Sequence, residues 1–124
     1  MVNAFAAAPR EQFVGPGPWR IKSPMDLAEY WTTDNANPRH VYHDVLIALD
    51  EWRGINNGQP SLWAYLFDRL DLVPGEQVLH LGCGTGYYTA IIAELVRLSR
   101  ACDRSAVQAA RLFRNRHSTS PWQA

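Results

Sequence analysis

The feature of the 124-residue chain that most constrains its fold is the segment QVLHLGCGTGYYTAII at residues 77–92. A short apolar run leads into glycines at positions 82, 84 and 86, and a helix-forming stretch follows at once. Glycine lacks a Cβ, so such a loop can adopt positive φ and approach a ligand closely. A helix starting near Tyr87 directs its first N–H groups to the same place, which favours a carboxylate or phosphate. We therefore expect a strand, a glycine loop and a helix, the opening of a βαβ unit.

The spacing of the glycines argues against a dinucleotide-binding loop. The dinucleotide fingerprint G-x-G-x-x-G requires glycine at position 87, where this chain has Tyr87. The pattern here is G-x-G-x-G, with His80 two residues ahead of the first glycine. The alternative is a tight strand-to-helix turn without a ligand, although one glycine is enough for such a turn.

The clearest amphipathic pattern lies in PSLWAYLFDRLDL at residues 60–72. Leu62, Leu66 and Leu70 recur every four residues, and Trp63 and Phe67 widen the stripe, which predicts a helix with one apolar face. Pro60 suits the first position of this helix.

Two further segments have the composition of strands. EQVLHL at residues 76–81 is apolar apart from His80, and such a run suits a strand buried on both faces of a parallel sheet. VYHDVLIALDEW at residues 41–52 fits a strand or a helix, and we favour a strand. The strand at residues 76–81 leads directly into the glycine loop and supplies the β part of the expected βα unit.

Glycine and proline mark the limits of the remaining predicted elements. Residues 1–8 predict the end of a helix that Pro9 stops, and residues 14–24 predict irregular backbone. Residues 23–31 predict one or two helical turns. Residues 53–60 contain an Asn-Gly pair, which predicts a loop before the leucine-rich helix.

The composition is that of a globular chain of one domain at most. It is 47% hydrophobic and 19% charged, with a mean hydropathy of −0.27. No apolar run approaches the roughly 18–20 residues that a membrane helix needs, and no basic residue precedes the short apolar stretch at the N-terminus, as a secretory signal requires. Two cysteines make no disulfide framework. We therefore expect a cytoplasmic protein with no membrane partner.

Neither the charged residues nor the histidines predict a nucleic-acid or metal partner. Residues 1–96 contain six Lys and Arg against eleven Asp and Glu, whereas residues 97–124 contain six Arg against Asp103 alone. Arginines without interleaved aromatic residues are a poor nucleic-acid signal. His40 and His43 have the spacing of a helical metal pair, but no third ligand lies in register.

The glycine loop and two other elements resemble one enzyme family. VLHLGCGTGYYTA at residues 78–90 resembles motif I of the class I S-adenosylmethionine-dependent methyltransferases. AAAPREQFVG at residues 6–15 resembles the V-P-R-E-x-F-V element near the start of protein-L-isoaspartate O-methyltransferases. Residues 58–96 are similar, without a gap, to that family's S-Q-P … L-x-P-G-x-x-V-L-E-I-G-x-G-S-G-Y region. The resemblance implies an α/β, Rossmann-like class I methyltransferase fold, incomplete here, with N-terminal helices and the first βα unit.

The resemblance also implies a cofactor and a site. In that family the glycine loop passes beneath the methionine part of S-adenosylmethionine, and the reaction is methyl transfer, here to a protein or peptide. No catalytic base can be named by position. The cofactor-binding residues that the resemblance implies are His80, Gly82, Cys83, Gly84, Thr85 and Gly86.

The chain departs from the family pattern at two places near the implied site. The family normally has Glu or Asp where this chain has His80, and a carboxylate there can face the ammonium group of the cofactor. The isoaspartate enzymes carry a hydroxyl pair in T-[IV]-S-Q-P, close to the reacting carboxylate. Those places hold Asn56, Asn57 and Gly58 here, and Ser61 lies just beyond. The pattern therefore indicates a relative with another substrate.

A third departure from the family pattern begins after residue 96. Residues 1–96 correspond to the N-terminal part of a methyltransferase domain, whereas residues 97–124 are a basic Arg-rich tail that does not match the fold. The tail lacks the second strand with a terminal acid that binds ribose hydroxyls in Rossmann-like folds. We expect a truncated methyltransferase of reduced or no activity. The alternative is a non-catalytic interaction protein or a translated remnant without cofactor.

Overall fold

The computed structural model describes residues 1–25 and 29–97, which divide into two compact units. Residues 9–71 and Met1 form the first unit, and residues 2–8 belong to the second with the described chain from residue 72 to 97. The described residues form three α-helices, α1 (Val2–Ala7), α2 (Pro60–Leu70) and α3 (Tyr87–Leu95), and two short 3-10 helices at Arg10–Phe13 and Pro38–Val41. They also form four strands, β1 (Arg20–Lys22), β2 (Trp31–Thr32), β3 (Leu46–Asp50) and β4 (Ile55–Asn56). None of these helices has the length and apolar character needed to cross a membrane.

The first unit is built on a small antiparallel sheet with strand order β2-β1-β3-β4. Ile21 of β1 pairs with Ile47 of β3, and both side chains are buried. Partners across an antiparallel pair point to the same face, so these two isoleucines fix which face of the sheet is inside. Trp19, Val41 and Val45 complete the buried cluster on this face. The preference for a strand within residues 41–52 is confirmed by β3.

Helix α2 confirms the predicted helix. Phe67 is 2% exposed, whereas Leu62 is 49% exposed, and Leu66 and Leu70 are also exposed. Periodicity shows which residues share a helix face, but only tertiary contacts decide whether that face is covered.

The second unit places α1 against α3. Ala4 of α1 is buried, as are Ile91 and Ile92 of α3 and the tyrosines at positions 87 and 88. The Gly75 N–H donates to the Val96 carbonyl at 2.7 Å, which ties the chain before the glycine loop to the end of α3. The helix predicted for residues 1–8 is confirmed by α1, and the helix predicted after the loop is confirmed by α3.

The predicted strand at residues 76–81 is absent from the described sheet. Residues 76–80 have no regular structure, and Leu79 and Leu81 are 83% and 80% exposed. A strand needs a neighbour that pairs with its backbone, and the described residues supply none here. The described chain is therefore an α and β fragment, compatible with an incomplete α/β fold, whose sheet is antiparallel and lies elsewhere.

Three smaller predictions were wrong or fall outside the described residues. Residues 14–24 contain β1, although they were predicted to be irregular, and the loop predicted at residues 53–60 contains β4. The helical turns predicted for residues 23–31 fall partly on residues 26–28, which are not described, and Trp31 lies in β2. Apart from Arg97, the predicted basic tail also lies outside the described residues.

Candidate functional site

All three glycines of the loop adopt left-handed backbone. The angle φ is +70° at Gly82, +54° at Gly84 and +86° at Gly86. Residues with a Cβ seldom adopt this region, so the backbone itself requires glycine at these positions. A Cβ added at Gly82 or Gly86 would meet no atom of the described residues within 4 Å. As far as the described residues reach, the space beside Gly82 and Gly86 is therefore open.

The loop runs directly into the N-terminus of α3. Gly86 is the N-cap residue and, as a glycine, provides no side-chain cap. Its N–H donates to the Cys83 carbonyl at 2.9 Å, and its carbonyl accepts from the Ala90 N–H at 2.9 Å. The first N–H groups of a helix have no acceptor within the helix, and the helix dipole is positive at this end. This junction therefore favours an anionic group.

His80 lies beside the first turn of α3. Its Nδ1 atom is 2.8 Å from the Thr89 hydroxyl oxygen, and which of the two atoms donates depends on the imidazole tautomer. Partial burial lowers the pKa of His80 below its ordinary value of 6.5, because desolvation disfavours the charged imidazolium. The imidazole is therefore neutral at pH 7, and it does not repel a cationic ligand.

The other two predicted residues of the loop contribute mainly backbone. Cys83 is half-buried, and its Sγ atom is 4.0 Å from the Gly84 carbonyl oxygen. Thr85 is exposed. The structure thus brings all six predicted cofactor-binding residues into one continuous segment before α3, with His80 linked to the helix by its side chain.

A second polar group, which sequence reasoning did not identify as a site, lies at the start of α2. Asp44 Oδ1 accepts from the Ser61 N–H at 2.9 Å, and Asp44 Oδ2 accepts from the Ser61 hydroxyl at 2.7 Å. The Gln59 side-chain amide donates to Asp44 Oδ2 at 3.0 Å and to the Ser61 hydroxyl at 2.7 Å. We call Asp44, Gln59 and Ser61 the Asp44 cluster. Because the Gln59 side chain makes no cap hydrogen bond, Asp44 serves as a remote N-cap of α2.

Electrostatics keep the Asp44 carboxylate ionised. Burial alone would raise the pKa of Asp44, but hydrogen bonds from Ser61 and Gln59 and the positive charge of Arg10 outweigh it. The pKa of Asp44 therefore lies below its ordinary value of 3.8. At neutral pH the start of α2 presents a carboxylate that is already bound to protein donors.

Arg10 connects the Pro-Arg-Glu element to the segment before α2. Its guanidinium is 1% exposed and uses all five of its N–H donors. The Nε atom donates to Asn57 Oδ1 at 2.9 Å, and the Nη atoms donate to the carbonyls of Val41, His43, Val45 and Gly58 at 3.0, 3.4, 2.9 and 2.9 Å. The Pro-Arg-Glu and Gln-Pro elements of the sequence were the signal from which a contact between Arg10 and the segment before α2 could have been predicted.

Both asparagine side chains at the family's T-[IV]-S places are hydrogen-bonded within the protein, and the third place is Gly58. Asn56 Oδ1 accepts from the Gly58 N–H at 2.8 Å, and buried Asn57 accepts from Arg10. The Ser61 hydroxyl, by contrast, belongs to an exposed residue. The glycine loop is in the second compact unit, and the Asp44 cluster is in the first.

Comparison with known proteins assigns the chain first to a class and then to a family. The family model of the protein-L-isoaspartate(D-aspartate) O-methyltransferases matches residues 1–110. This places the chain among proteins of methyltransferase-like function, in a family with a class I methyltransferase fold. The match covers most of the 124 residues, and the chain belongs to the protein-L-isoaspartate(D-aspartate) O-methyltransferase family. The resemblance stated from the sequence elements is thereby confirmed. No solved structure matches the chain.

Proposed function

We propose that this chain binds S-adenosylmethionine at residues 80–86 and acts as an S-adenosylmethionine-dependent methyltransferase. The observation that carries the proposal is the run of three left-handed glycines that ends at the N-terminus of α3, in a chain of this family. Members of the family use this cofactor, and the loop of this chain has the backbone that close approach of a ligand requires.

The residues present fit the methionine part of the cofactor. Among the described residues, nothing lies within 4 Å of where a Cβ would stand at Gly82 or Gly86, and the start of α3 suits the cofactor's carboxylate. His80 stands where the family normally has an acid, and in the tautomer whose Nδ1–H donates to the Thr89 hydroxyl, its Nε2 atom is the nitrogen that can accept a hydrogen bond from an ammonium group. Cys83 and Thr85 complete the binding segment.

The chemistry requires positioning more than it requires reactive side chains. When bound, S-adenosylmethionine supplies a methyl group on a sulfonium, which a nucleophile of the acceptor takes. Such transfer depends on alignment of the reacting atoms at roughly 3–3.5 Å. We therefore propose that the loop holds and orients the cofactor, and we assign no residue of this chain as a catalytic base.

The acceptor side differs from that of an isoaspartate enzyme. Asn56, Asn57 and Gly58 stand at the family's T-[IV]-S places, so neither hydroxyl is present, and the side-chain oxygens of Asn56 and Asn57 hold the loop. The nearest hydroxyl beyond these places is that of Ser61, which is bound to Asp44 and Gln59. We propose a protein or peptide acceptor whose reacting group is not the isoaspartyl carboxylate.

One observation favours the alternative of a non-catalytic protein without cofactor. Residues 76–80 lead into the glycine loop without strand partners in the described chain, and Leu79 and Leu81 are exposed. A loop that begins on an unpaired segment is held from one side only, by α3. The alternative therefore predicts a folded chain with no affinity for S-adenosylmethionine, and it places the interaction surface on these exposed apolar residues.

Photochemical crosslinking tests the proposal at the level of residues. Ultraviolet irradiation of the chain with methyl-tritiated S-adenosylmethionine should label a peptide that contains residues 77–97. An excess of S-adenosylhomocysteine should abolish the label, since it competes for the same segment. Absence of label, or label that S-adenosylhomocysteine does not displace, would favour the alternative.

A further inference from the structure

Arg10 lies between the two segments that build the Asp44 cluster. On one side it binds the carbonyls of His43 and Val45, the two residues that flank Asp44. On the other side it binds the side chain of Asn57 and the carbonyl of Gly58, which lead directly into Gln59 and Ser61. One buried side chain therefore fixes the separation of the two halves of the cluster.

Arginine suits this task for a geometric reason. The guanidinium is planar and carries five N–H donors in fixed directions, and it stays charged at any physiological pH. Its acceptors lie 31 to 48 positions away in the chain, so local sequence cannot replace these contacts. A lysine has three donors on a flexible stem and cannot reach all five acceptors at once.

We propose that Arg10 is a positioning residue that sets the geometry of Asp44, Gln59 and Ser61 at the start of α2. Arg10 does not contact a ligand in this role; it acts through the two backbone segments that it joins. All of these contacts lie within the first compact unit, so the structural coupling is independent of the proposed function.

The test compares the full chain with Arg10→Lys, which keeps the positive charge, and with Arg20→Lys as the matched control. Arg20 is also paired, with Glu51, but the pair is exposed and lies away from the Asp44 cluster. The measurements are amide hydrogen exchange and a titration of the Asp44 carboxyl by nuclear magnetic resonance. Arg10→Lys should raise the exchange rate of the Ser61 amide about tenfold or more, since losing a hydrogen bond to a charged group corresponds to about 1.5–3 kcal/mol.

The pKa of Asp44 distinguishes positioning of the cluster from a general contribution of Arg10 to stability, because loss of stability alone would leave this pKa unchanged in the folded chain. In Arg10→Lys, the pKa of Asp44 should rise toward 3.8, because the donors of Ser61 and Gln59 no longer hold their places while the positive charge remains. Arg20→Lys should change neither quantity. Unchanged Ser61 exchange and Asp44 pKa in a folded Arg10→Lys chain would overturn the proposal, and so would an equal rise in exchange across β1 and β3.

A second variant decides the matter if Arg10→Lys does not fold. Asn57→Ala removes one of the five contacts and leaves the guanidinium bound to its four carbonyls. It should raise exchange at Gly58 and Ser61 above the rates of β1 and β3, and equal rates in the variant and the parent would overturn the proposal. Crosslinking to S-adenosylmethionine in the same samples reports on the proposed function alone. Its failure with elevated Ser61 exchange would reject the cofactor and leave the role of Arg10 intact.

Discussion

His80 shows how a single substitution changes the character of the candidate site. A carboxylate at this position would face the cofactor's ammonium group with a full charge, whereas a neutral imidazole offers a single lone pair. The contact between His80 and Thr89 at 2.8 Å nevertheless anchors the residue to α3. The imidazole is thus fixed beside α3 but lacks the negative charge that a carboxylate would present there.

Replacing His80 with the acid of the family should strengthen cofactor binding. His80→Glu should lower the dissociation constant of S-adenosylmethionine about tenfold, since a charged hydrogen bond exceeds a neutral one by about 1.4 kcal/mol. His80→Gln is the matched neutral control, and it should bind about as well as the parent chain. Calorimetric titration measures all three, and equal or weaker binding by His80→Glu would contradict this account of the site.

The same residue predicts a pH dependence of stability. Burial lowers the pKa of His80 in the folded chain below 6.5, so the folded state favours the neutral imidazole. Its contribution to the free energy of unfolding is complete above pH 6.5 and is lost as the pH falls from 6.5 through the lowered pKa. The free energy of unfolding, measured by urea denaturation above and below pH 6.5, should fall less with decreasing pH for His80→Gln than for the parent chain. Equal decreases in the two proteins would contradict this role of His80.

Among the elements, α2 depends on a group from outside the helix. Asp44 accepts a hydrogen bond from the Ser61 N–H in the first turn, in place of a cap from Gln59. Pro60 occupies the first helical position, where it needs no N–H partner. The start of the helix is therefore coupled to the segment before β3.

Removing the remote cap should destabilise the chain measurably. Asp44→Ala should lower the free energy of unfolding by about 0.5–2 kcal/mol, the usual effect of losing an N-cap. Asp68→Ala, at an exposed position of the same helix, should change it by no more than about 0.5 kcal/mol. Because the pKa of Asp44 is lowered, its contribution is present above pH 3.8 and is lost as the pH falls through the lowered value. Equal effects of the two substitutions in urea denaturation would refute the capping role.

The sheet and the leucine stripe of α2 make a second comparison of elements. Ile47 is fully buried in the sheet, so Ile47→Ala should cost about 2–5 kcal/mol of stability. Leu62 is about half exposed, so Leu62→Ala should cost about 1 kcal/mol or less. Thermal or urea denaturation measures both losses of stability. A larger loss for Leu62→Ala than for Ile47→Ala would mean that the leucine face of α2 is buried.

For the whole molecule, local backbone conformation was predictable from the sequence, whereas contacts between residues distant in the chain were not. The glycine loop was predictable from the positions of Gly82, Gly84 and Gly86, because glycine is the residue that adopts positive φ without steric cost. Strand β1 was missed because the neighbouring Gly and Pro residues concealed the alternation of buried Ile21 with its exposed neighbour.

Three features that the sequence did not show depend on partners that are distant in the chain. Residues 76–81 have strand composition, but strand formation needs a second strand. Leu62 and its companions have the helical period, but the period does not show what covers them. The role of Arg10 depends on Asn57, which is 47 positions away, and no local pattern predicts such a contact.

The central claim, that the glycine loop binds S-adenosylmethionine, is tested most directly by calorimetric titration of the purified chain. We predict micromolar binding that Gly84→Val abolishes, because φ at Gly84 is +54° and valine cannot adopt it without strain. Gly54→Val is the matched control, with φ of +68° in the other compact unit, and it should retain binding. No heat from the folded parent chain, or equal binding by Gly84→Val, would contradict the claim.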